Sequence, residues 1–145
     1  MKITAGLVVS ASLAFTTPAL ARSTLHMYSL ADALKTQAAI DRMDKNVRMY
    51  FGKQRHPPIV KRLGTYISNR KTNALNKSDK VACEWVFLSA ILSLQKRALR
   101  EGGNAVVNIR SYYKRQTVSS RTEYMCGTGT FVAGVTFQGD VVRLK

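Results

Sequence analysis

The apolar positions of this chain change their period along its length. Between Ser29 and Arg42, Leu30, Ala33, Leu34 and Ile40 recur at helical spacing, with Met43 just beyond. Ser29 offers an N-cap hydroxyl and Asp32 an acidic residue in the first turn, so the pattern predicts a short amphipathic helix. Val47, Met49 and Phe51 then alternate with Arg48 and Tyr50, the two-residue period of a strand with one wet face. Gly52 and His56-Pro57-Pro58 interrupt it. Ile59 to Ser68 reads as extended again, with Gly64 as a bulge position, and Arg70 to Lys77 as a polar loop.

The strongest helical signal runs from Asp79 to Glu101, with Ser78 or Asp79 as cap and Gly102-Gly103 as the stop. From Val81 to Leu94 it is apolar on nearly every face, which predicts a core helix rather than one lying on a membrane surface. Its basic last turns, Lys96, Arg97 and Arg100, complement the negative end of the helix. Asn104 to Tyr113 follows as a strand, with Ala105, Val107 and Ile109 on one face and Val106, Asn108 and Arg110 on the other. Lys114 to Arg121 is a polar turn. Thr122 to Phe137 places Met125, Phe131, Ala133, Val135 and Phe137 in one phase, with Cys126 in the other. Gly139-Asp140 is read as a turn into a final Val141-Val142 strand. The order α-β-β-α-β-β predicts an α+β fold: a small antiparallel sheet of about four strands, with one long buried helix and one short helix packed on it.

The first 21 residues change what the rest can mean. Met1-Lys2 is a short positive start, Ile3 to Phe15 is mostly apolar or small, and Ala19-Leu20-Ala21 is an A-x-A site. This is the pattern of a secretory signal peptide cleaved after Ala21, and it places the mature chain, Arg22 to Lys145, in the periplasm. The other reading, an N-terminal membrane anchor, needs a longer apolar run. Position 22 is Arg, not Cys, so no lipid attachment is expected there. With 145 residues, 46% of them hydrophobic and 21% charged, one folded domain over 22–145 is expected rather than a disordered tail. No apolar run outside the N-terminus is long enough for a span.

Export bears on Cys83 and Cys126. In an oxidising compartment an even pair predicts a disulfide, which in the chain-entropy account is worth roughly 4 kcal/mol for so long a loop. Buried free thiols and a two-thiolate metal site remain open alternatives. The metal reading needs His26 or His56 as further ligands, and no C-x-x-C or H-x-x-x-H spacing supports it.

Ser78-Asp79, Gly102-Gly103-Asn104-Ala105-Val106-Val107 and Cys126-Gly127-Thr128-Gly129 together resemble a family of short exported bacterial proteins, often labelled "excinuclease ATPase subunit". Tyr28-Ser29-Leu30-Ala31-Asp32-Ala33 and Lys71-Thr72-Asn73-Ala74 extend the resemblance over most of the chain after the leader. The activity in that label needs G-x-x-x-x-G-K-[ST] to wrap phosphates, and the chain has no such run. The helix–Gly-Gly-Asn-Ala-Val-Val–strand unit more distantly resembles the domain of the Rcs-type outer-membrane stress-sensor lipoprotein and the YbjQ-like proteins labelled heavy-metal-binding. The first of these implies disulfides and envelope sensing. The chain departs from it in lacking the lipid-attachment Cys and in having two cysteines only.

Catalytic chemistry has little to stand on. His26 lies near the start of the mature chain and His56 precedes two prolines. Neither marks a nucleophile–base pair. Asp41 and Asp44 lie one helical turn apart but beside Lys45 and Arg48, which makes them ion-pairing rather than acid–base residues. No enzyme activity, cofactor or resident metal is expected. What remains is charge: the formal net charge is +15, and nine basic residues against Asp44 alone fall between Arg42 and Lys71. A second cluster, Lys114, Arg115 and Arg121, adjoins Tyr112 and Tyr113. Such density concentrates anions. Arg55, Lys61, Arg62, Arg70, Lys71, Lys114, Arg115 and Arg121 are therefore the expected anion-binding residues. A basic chain with interleaved tyrosines suggests nucleic acid, but export replaces that partner with anionic lipid, lipopolysaccharide phosphates or an acidic envelope protein. A solvated basic surface without a ligand is the bland alternative.

Overall fold

The computed structural model describes residues 13–14 and 22–145. The leader read over residues 1–21 lies outside them except for Leu13 and Ala14. Ten elements follow in chain order: β1 (Ser23–Ser29), α1 (Leu30–Leu34), α2 (Gln37–Arg42), β2 (Arg48–Phe51), β3 (Ile59–Asn73), α3 (Asp79–Arg100), β4 (Ala105–Tyr113), β5 (Gln116–Val118), β6 (Glu123–Gly129) and β7 (Val132–Leu144). Among the described residues no helix is long and apolar enough to cross a membrane.

The small four-stranded antiparallel sheet expected from the pattern is not what forms. Among the described residues the sheet has seven strands and is mixed, and three helices accompany it. β7 is its axis. One edge of β7 pairs with β3 from Ile59↔Leu144 to Asn73↔Val132, while its other edge is shared by β6 and β4. β1 extends the sheet beyond β6, and β2 and β5 extend it beyond β4. The β2–β4 pair is parallel, because β3 and α3 intervene between them and return the chain in the same direction.

Each departure has a local cause. Ser23–Ser29, to which the pattern assigned no element, is a strand whose inward positions are His26 and Tyr28, so an apolar alternation is missing. The helix expected over Ser29–Arg42 breaks at Lys35-Thr36, where the Thr36 hydroxyl caps a second helix by accepting from Ala39 N–H. The polar stretch from Arg70 belongs to β3 as far as Asn73, since its outer edge faces water. In β4, Asn108 takes φ 49° and makes a bulge. Val106 and Ile109 therefore share the core face, while Ala105 and Val107 join Val142 and Leu144 on the opposite one. Thr122–Phe137 is two strands, and Phe131 at the turn between them is 64% exposed. No turn occurs at Gly139-Asp140, which continues β7.

The long helix forms as its caps predict. The Ser78 hydroxyl accepts from Val81 N–H, and Gly102 takes φ 79° just beyond the end. Its face of Ala82, Cys83, Val86, Phe87, Ala90, Ile91 and Leu94 is buried on Tyr124, Cys126, Val135, Phe137 and Val141 of the sheet. Val81 and Trp85 are half exposed, so the helix is one-sided after all. Phe87 lies with its ring centroid 4.6 Å from Tyr124 and 5.7 Å from Phe137. Buried Gln95 pins the loop before β2: its side chain accepts from Asp44 N–H and donates to the Asp44 and Val47 carbonyls.

Cys83 and Cys126 form a disulfide that ties α3 to β6, with Cα atoms 6.0 Å apart. Both residues are fully buried. Replacing both with alanine is expected to cost roughly 2–4 kcal/mol, read as a lower urea midpoint, with no free thiol titratable in the unreduced parent.

Candidate functional site

Four of the eight cations named from sequence, Lys61, Arg62, Arg70 and Lys71, lie on β3. This strand pairs only with β7, and its other edge is free among the described residues. Alternation sorts the side chains. Tyr66, Ser68 and Arg70 face α3: Tyr66 lies under the Arg97 guanidinium (4.6 Å to the ring centroid), Ser68 donates to the Ala90 carbonyl, and Arg70 Nη2 donates to Ser93 Oγ at 3.1 Å. Thr65 and Asn69 face the other way, bonding Asp140 and Thr136. Lys71 shares that second face, because successive side chains of a strand alternate.

Arg70 thereby joins Ser93, Lys96, Leu99 and Arg100 around a groove of about 490 Å³ between the β3 edge and α3. Among the described residues none of Arg70, Lys96 and Arg100 is paired with a carboxylate, whereas Arg97 beside them is, with Glu101. By sequence alone Lys96 and Arg100 register only as complements of the helix end. Their four-residue spacing, three on from Ser93, was the available signal for a basic stripe on one flank.

The other expected cations do not gather into this site. Lys61 faces Arg143 across the β3–β7 pair, and Arg62 opposes Val142 of the second cluster. Arg121 shares a depression with Lys53, Ser119 and Ser120. Arg55 stands exposed in the β2–β3 loop. Lys114 and Arg115 form the tip of the β4–β5 hairpin, both with positive φ (49° and 64°), and Lys114 Nζ sits over the Tyr113 ring. Such two-residue turns favour Asn-Gly, and a non-glycine residue in this region costs about 1–2 kcal/mol. Strain is thus spent on holding two cations at a solvent-facing tip.

The histidines give no catalytic geometry. His26 Nε2 meets both Asp79 Oδ2 (2.9 Å) and Thr128 Oγ1 (3.1 Å), so one nitrogen faces acid and hydroxyl alike. A relay needs the two on opposite ring nitrogens. Arg22 closes this cluster with Nη2 at 2.6 and 2.7 Å from the two Asp79 oxygens. The Arg22 hydrogen bonds hold the Asp79 carboxyl below its ordinary range against partial burial, and Thr128 and His26 act in the same direction as Arg22. His56 Nδ1 contacts the Pro57 carbonyl oxygen. The disulfide takes both sulfurs, and no group of three His, Cys, Asp or Glu side chains is placed to hold a metal among the described residues. Tyr124 is fully buried with its hydroxyl unpartnered, and burial raises its pKa.

A second groove, about 570 Å³ between α2 and β2, is lined by Leu34, Ile40, Met43 and Met49 with Asp44, Lys45 and Arg48 among its polar residues. Asp44 lines it beside those two cations, whereas among the described residues no carboxylate lines the β3–α3 groove.

Two outcomes follow from this geometry. Asp79 has a lowered carboxyl pKa in the fold, so its stabilising effect is full above its unfolded value near 3.8 and is lost as pH falls through the folded one. Asp79→Asn should therefore unfold more easily than the parent at pH 7, and the gap should close as acid protonates Asp79. Thermal midpoints at pH 7 and near pH 2 check this. Replacing Lys114-Arg115 with Asn-Gly should raise stability by about 1–2 kcal/mol in a thermal melt. Compared with models of known families, with curated proteins and with solved structures, the chain matches none.

Proposed function

We propose that this chain is a non-catalytic binding or sensor module of the bacterial periplasm that holds anionic envelope components on its basic β3–α3 face. The observation that carries this reading is the convergence of Arg70, Lys96 and Arg100 on one groove that, among the described residues, no carboxylate lines. Unpaired cations lining a concavity raise the local concentration of anions and fall in effect with salt. The strained Lys114-Arg115 tip adds a second cationic contact on the same principle. The leader-like first 21 residues and the disulfide support the compartment. The resemblance to short exported proteins and to the envelope stress-sensor domain is in keeping with it. With both sulfurs in a disulfide, the metal-handling alternative through Cys83 and Cys126 has no thiolate to offer.

Co-sedimentation with vesicles tests the reading. Phosphatidylglycerol vesicles should retain the protein at low salt and release it as salt rises, and Lys96→Glu with Arg100→Glu should weaken retention about tenfold. Equal retention on neutral phosphatidylcholine, or indifference to both salt and charge reversal, would overturn it.

A further inference from the structure

We propose that the free edge of β3 takes an extended acidic segment of another polypeptide as an added strand. The inference rests on the reading that this face binds anions, and it names the partner. β3 has fifteen residues and, among the described residues, pairs only with β7. An edge of that length presents unpaired backbone groups, and proteins either cover it, charge it or use it.

The ladder shows which groups are free. Ala74 N–H donates to the Phe131 carbonyl at 2.8 Å, and antiparallel pairs alternate between hydrogen-bonded and open ones. From Ala74 back, Thr72, Arg70, Ser68 and Tyr66 therefore bond β7. Lys71, Asn69, Ile67 and Thr65 direct their N–H and C=O groups outward. Both ends of this window are closed. Lys77 Nζ takes the Asn73 carbonyl at 2.9 Å, and the Tyr66 hydroxyl takes the Leu63 carbonyl at 3.1 Å beside the Gly64 bulge. Seven residues, Thr65 to Lys71, are left to accept a strand.

Charge selects the partner. In an antiparallel pairing of this window with a second copy, Arg70 would oppose Tyr66 and Lys71 would oppose Thr65, so neither cation would meet a carboxylate. An acidic segment meets the reverse. Its side chains on one face would lie beside Arg70, Lys96, Arg100 and the half-exposed Leu99, and those on the other beside Lys71 and the half-exposed Ile67. The backbone window supplies affinity and the cations on both faces supply selection.

The test is amide hydrogen exchange on the disulfide-bonded protein with a synthetic peptide of alternating Glu and Thr, with polyphosphate as the non-peptide anion. Saturating peptide should slow exchange at Thr65, Ile67, Asn69 and Lys71 by about tenfold or more. Polyphosphate should leave those amides unchanged. Ile67→Pro removes an outward N–H while keeping the β3–β7 ladder, and should weaken peptide binding by about two- to tenfold with vesicle retention intact. Peptide binding without protection of these amides, or vesicle binding without peptide binding, would overturn the added strand and leave the anion-binding face standing. Failure of peptide, polyphosphate and vesicles alike would overturn both.

Discussion

Strand β7 has to satisfy three neighbours while carrying the helix on one of its faces. β3 occupies one edge along its whole length, and β6 and β4 divide the other. The handover between β6 and β4 depends on space. At Gly127 a side chain would run into the Tyr113 ring, and Gly134 across the pair lies under the same ring. Tyr113 fills the place where two strands diverge, and glycine is what lets it in. The Ser111 hydroxyl, which accepts from Met125 N–H, spans the same gap. β3 takes one edge of β7 along its whole length and, among the described residues, no strand pairs with its outer side, so the basic face lies at a boundary of the sheet.

The core helix, its caps, the Gly64 bulge and the cysteine pairing were legible because each rests on local chemistry: a hydroxyl at Ser78, a positive φ at Gly102, a register shift beside Gly64, an even pair of sulfurs. What the pattern did not carry was sheet size. β1 hides because its inward positions are a histidine and a tyrosine rather than aliphatic residues. β5 has three residues, too few for any period to show. The Asn108 bulge inverts the phase of β4 midway, so alternation gives the wrong partner for Ala105 and Val107. These are effects of partners distant in sequence, which a local pattern does not contain.

The candidate site was half visible for the same reason. Arg70 stood out in a basic run, but Lys96 and Arg100 sit on an element 20 or more residues away and meet it only through the packing of α3 on β3. Conversely, Arg62 and Lys71 belong to the same run as Arg70 and turn to the opposite face. Sequence density of charge measures how much is present. It takes the two-residue period of β3 and the helical period of α3 together to say where it points.

The ribbon of β1 and β6 has a narrow attachment. Seven rungs join its two strands to each other, yet only Gly127↔Gly134 and Thr128↔Ala133 pair it with β7. The Cys83–Cys126 bond sits one residue from those two rungs and clamps the ribbon to α3. Oxidation adds a covalent link to α3 beside the hydrogen bonds that Arg22, His26 and Thr128 make with Asp79. In a reducing environment that link is lost, and the two rungs to β7 and the bonds to Asp79 and Ser111 are left to hold the ribbon. Its release would uncover Phe87 and Phe137, which Tyr124 now shields.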